Sequence, residues 1–127
     1  MYNLTLWKPL EINAKSTLVD AIHDDCEGFR IIINILKSGG DKILIKSKDT
    51  LAYKNTKQMF LHGLWNNIDK SLGGNIFYIM ENSEYLKDFH LMSEGFYSNL
   101  EIKHYCIYTL DDCIDLLCTE APSVEWL

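Results

Sequence analysis

The chain has 127 residues, a length that fits one domain and hardly two. Its composition is 47% hydrophobic, 12% aromatic and 24% charged, which excludes a disordered chain, a collagen-like chain and a disulfide-dense miniprotein. With 12 basic and 18 acidic side chains the net charge is −6, and this disfavours direct binding of nucleic acid because phosphate binding depends on Lys and Arg. We therefore expect one domain over residues 1–127.

Neither the start of the sequence nor its cysteines indicate export. The first residues, MYNLTLWKPLEI, lack a basic segment followed by a long apolar run, so no secretory signal is predicted. The longest apolar runs, at 31–33 and 76–80, are far shorter than the roughly 18 residues of a membrane-spanning helix. The four cysteines form no CxxC pair, which disfavours zinc. We expect a cytoplasmic protein with reduced thiols, no membrane contact, no metal and no cofactor.

The N-terminal half is predicted to be built around one hairpin. Alternating apolar residues predict a strand over residues 3–7, and a capping serine before an apolar face predicts a short helix over residues 16–22. The β-branched sequences FRIIINILK and KILIKSK, joined by the turn sequence SGGD, predict a hairpin over residues 29–48. Residues 59–68 are compatible with a short helix or an irregular aromatic segment.

The C-terminal half is predicted to alternate strands and helices. The sequences NIFYIM at 75–80 and EIKHYCIYT at 101–109 favour strands. A capping serine and a stop at Gly95 predict a helix over residues 83–93. Thr109 before LDDCIDLLC predicts a last helix, with Asp111 and Asp112 in its first turn.

The apolar positions of these two helices place them against a sheet. The face predicted to be buried on the first helix comprises Tyr85, Leu86, Phe89 and Met92. The corresponding stripe on the second comprises Ile114, Leu117 and Cys118. The expected fold class is therefore α+β, a single domain in which two or three helices pack against an antiparallel-rich sheet.

No motif in the sequence indicates catalysis. The four histidines are widely spaced, and the sequence contains no HExxH, GxSxG, GxGxxG or P-loop motif. The aspartates of LDDCIDLLC lack the alternating ligands, central glycine and terminal glutamate of a calcium loop. We expect no enzyme activity. The catalytic alternative is a pair of histidines acting as acid and base, as in metal-independent ribonucleases.

The charge is distributed unevenly along the chain. Residues 1–80 contain ten basic and eight acidic side chains, a net of +2, whereas residues 81–127 contain two basic and ten acidic side chains, a net of −8. A solvated surface with acids at helix starts would account for this. The functional interpretation is an acidic patch that selects a cationic partner. A nuclease, which must attract phosphates, is such a partner.

The acids at the two predicted helix starts are the candidate binding residues. They comprise Glu84, Asp88, Asp111, Asp112 and Asp115. If both helix starts lie at one edge of the sheet, these carboxylates face a surface rich in Lys and Arg. The aromatic segment at 60–65 is the alternative interface.

Three stretches together resemble a known class of proteins. They are DTLAYKNT at 49–56, ENSEYLKDFHLMSEG at 81–95 and EIKHYCIYTLDDCIDLL at 101–117. Their order and spacing resemble small bacterial immunity proteins of contact-dependent growth inhibition and related polymorphic toxin systems. The resemblance covers roughly residues 28–118 and leaves the first 27 residues unmatched.

This resemblance implies a cytoplasmic antitoxin that binds one cognate toxin domain, commonly a ribonuclease or deoxyribonuclease, and neutralises it. Each such protein binds its own toxin, so the resemblance implies no binding residues. Two alternatives stay open: a small hydrolase or nuclease that uses scattered His and Asp residues, and an accessory protein that binds another basic partner.

Overall fold

A computed structural model describes residues 3–12, 16–36, 39–58 and 75–127. In these residues the chain forms two antiparallel sheets and one short helix. The expected α+β class with two or three helices is therefore wrong, because two segments predicted as helices are strands. The elements are β1 Asn3–Leu6, β2 Thr17–Asp25, β3 Gly28–Ile35, β4 Lys42–Ser47, β5 Thr50–Lys57, β6 Phe77–Glu81, α1 Glu84–Met92, β7 Lys103–Tyr108, β8 Asp112–Cys118 and β9 Ser123–Trp126.

The two sheets divide the strands between them. The five-stranded sheet has the order β1-β6-β7-β8-β5, and the four-stranded sheet has the order β2-β3-β4-β9. The hairpin predicted over residues 29–48 is confirmed as β3 and β4, with Ile31 opposite Ile45 and Ile33 opposite Ile43. The strands predicted at 3–7, 75–80 and 101–109 are confirmed as β1, β6 and β7.

The main hydrophobic core lies between the sheets. Alternate residues of β3 and β4 point inward from the four-stranded sheet, because successive strand residues face opposite sides. The five-stranded sheet contributes the matching layer from β6, β7 and β8. The buried members include Phe29, Ile31, Ile33, Ile43, Ile45, Phe77, Tyr105, Ile107, Ile114, Leu116 and Cys118.

The outer face of the five-stranded sheet is also buried. A second cluster covers this face and comprises Leu4, Tyr78, Met80, Cys106, Tyr108 and Cys113. Consequently β8, which lies between β7 and β5, is buried at all seven of its residues.

The segment predicted as a helix at 16–22 is strand β2, paired with β3. The register shifts between Val19 and Ala21. A bulge inserts one extra residue and changes which face the following side chains occupy. Val19 and Ile22, three residues apart, therefore both pack against the core. That spacing imitates the period of a helix.

The segment predicted as the last helix is strand β8. Its apolar residues are buried on both faces, and a short apolar run of this kind cannot be distinguished from a helix by periodicity alone. Thr109 does not cap a helix: its backbone N–H donates to the Asp112 carbonyl at 2.8 Å, and its hydroxyl accepts from the Asp112 N–H at 3.2 Å. These bonds close the turn between β7 and β8.

The helix predicted over 83–93 is confirmed as α1. The Ser83 hydroxyl accepts from the Leu86 N–H at 3.0 Å, as expected of an N-cap. Gly95, with a φ of +74°, follows the last turn, and its N–H donates to the His90 carbonyl at 3.0 Å. The segment at 59–68 lies outside the described residues. Among the residues that the structure describes, no helix is both long and apolar enough to cross a membrane.

The cysteines differ in their exposure, which gives a chemical prediction. All four are free thiols; Cys26 is exposed, whereas Cys106, Cys113 and Cys118 are buried. Burial raises the pKa of all three buried thiols, that of Cys113 to about 12, so little reactive thiolate forms near neutral pH. We expect one thiol to react rapidly with a disulfide reagent in the folded protein and four after denaturation. More than one fast thiol in the native protein would contradict this burial.

Candidate partner-binding surface

The structure separates the five acids that the sequence singles out. Glu84 and Asp88 are exposed on α1, and Asp111 is exposed in the turn between β7 and β8. Asp112 and Asp115 are buried in β8. Because LDDCIDLLC is a strand, its aspartates do not start a helix beside α1, and the expected common acidic edge does not form.

The Asp112 carboxylate accepts hydrogen bonds from other residues of the same chain. The Lys57 ammonium donates to its carboxylate at 2.7 Å, and the Asn55 amide donates to the same oxygen at 3.2 Å. The ion pair raises the pKa of Lys57, chiefly through the hydrogen bond from its ammonium to Asp112. Since β5 and β8 are neighbours in the sheet, Asp112 links two strands through one carboxylate oxygen, and its side chain is only 10% exposed.

Asp115 belongs to a buried chain of hydrogen bonds. Its Oδ1 lies 2.7 Å from His104 Nε2 and accepts from the Tyr108 hydroxyl at 3.2 Å. The other ring nitrogen, His104 Nδ1, lies 2.6 Å from the Ser83 hydroxyl. The arrangement that satisfies every atom places the imidazole proton on Nε2, so that Nδ1 accepts from Ser83.

This Ser83–His104–Asp115 chain fixes α1 to the sheet. None of the nine residues of α1 is buried, so the helix depends on few contacts for its position. Ser83, at the helix start, is bonded to His104, and the Tyr85 ring meets the His104 ring edge-on at 5.5 Å. The Lys54 ammonium lies 4.4 Å from the centre of the Tyr85 ring. A polar network and one aromatic side chain thus orient the helix.

The same three residue types form the triads of serine hydrolases. In such a triad the histidine accepts the serine proton while the serine oxygen attacks an acyl carbon. A cavity of about 250 Å³ is lined in part by Ser83, His90 and His104. His90 Nδ1 is buried without a hydrogen-bond partner. However, Ser83 is only 6% exposed and its hydroxyl also caps α1, which favours a structural role.

The buried cluster is a poor metal site. Ligand atoms of His104, Cys106 and Asp115 lie within 4.8 Å of one another. Metal binding requires a thiolate and a free ring nitrogen. Burial raises the pKa of Cys106 well above its usual value, and both ring nitrogens of His104 are within hydrogen-bond distance of Ser83 and Asp115. The donors therefore fit a hydrogen-bonded cluster better than a metal centre.

The outward side of α1 combines acidic and apolar side chains. Tyr85, Leu86 and Phe89 are half-buried, as expected of the inner face. Met92, which the sequence assigns to that face, is instead 84% exposed, and Leu91 is 76% exposed. Asp88 precedes these two residues by three and four positions, and side chains at such spacings are neighbours on a helix. The acid and the two apolar side chains therefore form one patch.

The turn after α1 presents a further exposed apolar side chain. Phe96 is 78% exposed, and its ring contacts Tyr97 edge-on at 5.0 Å. Tyr97 in turn lies 5.3 Å from Phe89 of the helix. We call the exposed side chains of residues 84–101 the α1 surface. Its charged members are Glu84, Asp88, Glu94 and Glu101 with one base, Lys87, which gives a net charge of −3.

A large cleft among the described residues does not form a basic site. It has a volume of about 1040 Å³ and lies beside the ends of β3, β4 and β5. Its charged lining residues are Arg30, Lys46, Lys48, Asp24, Glu27 and Glu120, three of each sign. Arg30 is moreover paired with Asp25 at 2.8 Å, an ion pair that lowers the pKa of Asp25 to about 2. A nuclease cleft requires a positive excess, which this cleft lacks.

The apolar part of the α1 surface has little signal in the sequence. Leu91 and Met92 lie in the last turn of α1, and their spacing in the sequence is compatible with a buried face. Their exposure depends on how the helix is placed on the sheet, which the local sequence does not indicate. Phe96 directly follows Gly95, and this position after a helix stop is the one local signal that the residue leaves the helix packing. Comparisons with protein-family models, curated proteins and solved structures give no match to this chain.

Proposed function

We propose that this protein is an immunity protein, a non-enzymatic inhibitor that binds one cognate toxin domain in the cytoplasm and neutralises it. The partner is a basic nuclease, and the contact is the α1 surface. The resemblance of residues 49–56, 81–95 and 101–117 to immunity proteins supports this proposal, as does the net charge of −8 over residues 81–127.

The observation that carries the proposal is the composition of the α1 surface. Four exposed carboxylates and three strongly exposed apolar side chains lie within residues 84–101, and the single lysine, Lys87, pairs with Glu84 at 3.3 Å. Acidic groups around an apolar centre complement a cationic protein, raise its association rate and disfavour acidic competitors. Asp111, at the far end of the β7–β8 hairpin from His104, is not part of this contact.

The test uses the toxin domain that the proposal places next to this gene. We expect the gene immediately upstream to encode a polypeptide whose C-terminal domain is a basic nuclease. This domain is purified, and its cleavage of tRNA and plasmid DNA is measured with and without an equimolar amount of this protein. The proposal requires loss of cleavage at a 1:1 ratio. An upstream gene without such a domain, or cleavage at an unchanged rate, contradicts it.

A second candidate function, a serine hydrolase, is favoured by one specific observation: the Ser83–His104–Asp115 chain beside a cavity of about 250 Å³. A serine-reactive phosphonate probe separates the two candidates. The inhibitor proposal requires no labelling of the native protein. The hydrolase would be favoured if the native protein is labelled and Ser83→Ala abolishes the labelling. The control, Ser93→Ala at the other end of α1, should then retain it.

A further inference from the structure

The apolar side chains of the α1 surface require an explanation beyond charge. Leu91, Met92 and Phe96 are the three most exposed large hydrophobic residues of the described chain, with exposures of 76%, 84% and 78%. All three lie within six residues of sequence at one end of α1. Single exposed apolar residues are ordinary, but three so exposed within one short segment, together with exposed charges, favour an interaction site.

The Phe96 ring is mostly exposed but contacts an aromatic neighbour. Its ring contacts Tyr97 at 5.0 Å, and Tyr97 contacts Phe89 at 5.3 Å, so the ring is connected to the inner face of α1. The backbone is fixed as well, because the Phe96 N–H donates to the Ser93 carbonyl at 3.0 Å. An aromatic side chain has few rotatable bonds and so loses little conformational freedom when it binds, which favours affinity.

The charges around the apolar group decide between possible occupants. A second copy of this chain would bring two surfaces of net charge −3 together, and like charges in an interface are unfavourable. Glu84 pairs with Lys87 at 3.3 Å, but an acidic or neutral apolar protein would offer no cation to Asp88 and Glu94. A protein that presents an apolar pocket flanked by Lys and Arg satisfies both the apolar and the acidic groups.

We infer that Leu91, Met92 and Phe96 form the central contact of the interface and insert into an apolar pocket rimmed by basic side chains on the toxin domain. This inference rests on the proposed function and specifies which part of the surface holds the partner. The carboxylates of the rim then act on the rate of association, whereas the apolar centre acts on the rate of dissociation.

The experiment measures binding kinetics with the purified upstream toxin domain in a catalytically inactive form. The variants are Leu91→Ser and Phe96→Ser, and the matched control is Leu110→Ser, an exposed leucine in the turn between β7 and β8. We expect each of the first two to raise Kd by about tenfold or more through faster dissociation, because a few central residues carry much of the binding energy of an interface. The salt dependence of association stays unchanged, and the control stays within about twofold of the original chain.

The outcomes separate this inference from the proposed function. If the unaltered chain binds and both serine variants bind within about twofold of it, the apolar centre is not the contact and only this inference fails. If the unaltered chain does not bind the domain, the proposed function fails with it. Sedimentation of this protein alone tests the second-copy alternative: a monomer is expected, and a dimer that Phe96→Ser dissociates would overturn the inference.

Discussion

Asp115→Ala is expected to lower the free energy of unfolding by about 3–5 kcal/mol, since it removes one partner of a buried, hydrogen-bonded pair with His104. The carboxylate accepts from the Tyr108 hydroxyl at 3.2 Å and lies 2.7 Å from His104 Nε2. Loss of the acceptor at His104 Nε2 costs about 1–3 kcal/mol for the buried donor alone, and loss of one partner of a buried pair costs about 3–5 kcal/mol in total. Denaturant unfolding monitored by tryptophan fluorescence measures the change.

The matched control for this variant is Asp111→Ala, four residues earlier and exposed. An exposed substitution of this kind changes stability by about 0.5 kcal/mol or less. We further expect His104→Ala and Asp115→Ala to be strongly non-additive, because both remove the same buried chain. Equal effects of Asp111→Ala and Asp115→Ala would contradict the described network.

Reversing the two acids of α1, Glu84→Lys with Asp88→Lys, is expected to slow association with the toxin domain by about tenfold to a hundredfold at low salt. Both side chains are exposed, and Asp88 adjoins the apolar centre. A positive charge there repels the basic partner and removes the attraction that guides its approach. Stopped-flow association at several ionic strengths measures the effect, which must shrink as salt screens the charges.

The control for charge reversal is Glu120→Lys with Glu125→Lys. These acids are also exposed but lie outside the α1 surface, and both double variants change the net charge from −6 to −2. We expect the control to retain most of the association rate. Losing Glu84 also removes an acid from the first turn of α1, which costs about 0.3–1 kcal/mol, so unfolding is measured beside binding. Equal slowing by both variants would assign the effect to net charge alone.

Local signals predicted the parts of this fold that depend on neighbouring residues. The turn sequence SGGD between two β-branched runs was sufficient for the β3–β4 hairpin, and Ser83 with Gly95 was sufficient for α1. In β2, by contrast, the bulge between Val19 and Ala21 produced a helical spacing. Such a bulge is set by pairing with β3 and leaves no distinct signal in the chain.

The acids of β8 were misassigned because their partners are distant in sequence. Asp112 pairs with Lys57, 55 residues away, and Asp115 approaches His104 on the neighbouring strand. Without those partners, acids among apolar residues are typical of a helix start. The acids of α1 needed no distant partner, and the sequence placed Glu84 and Asp88 on the exposed surface correctly.

Hydrogen exchange of this protein, free and bound to the inactive toxin domain, tests the central claim most directly. The proposed contact predicts slower exchange of backbone amides over residues 84–101 in the complex, with little change over the β7–β8 turn and in the strands beside the large cleft. Unchanged exchange over residues 84–101, with protection in those other segments, would contradict the assignment of the α1 surface as the binding site.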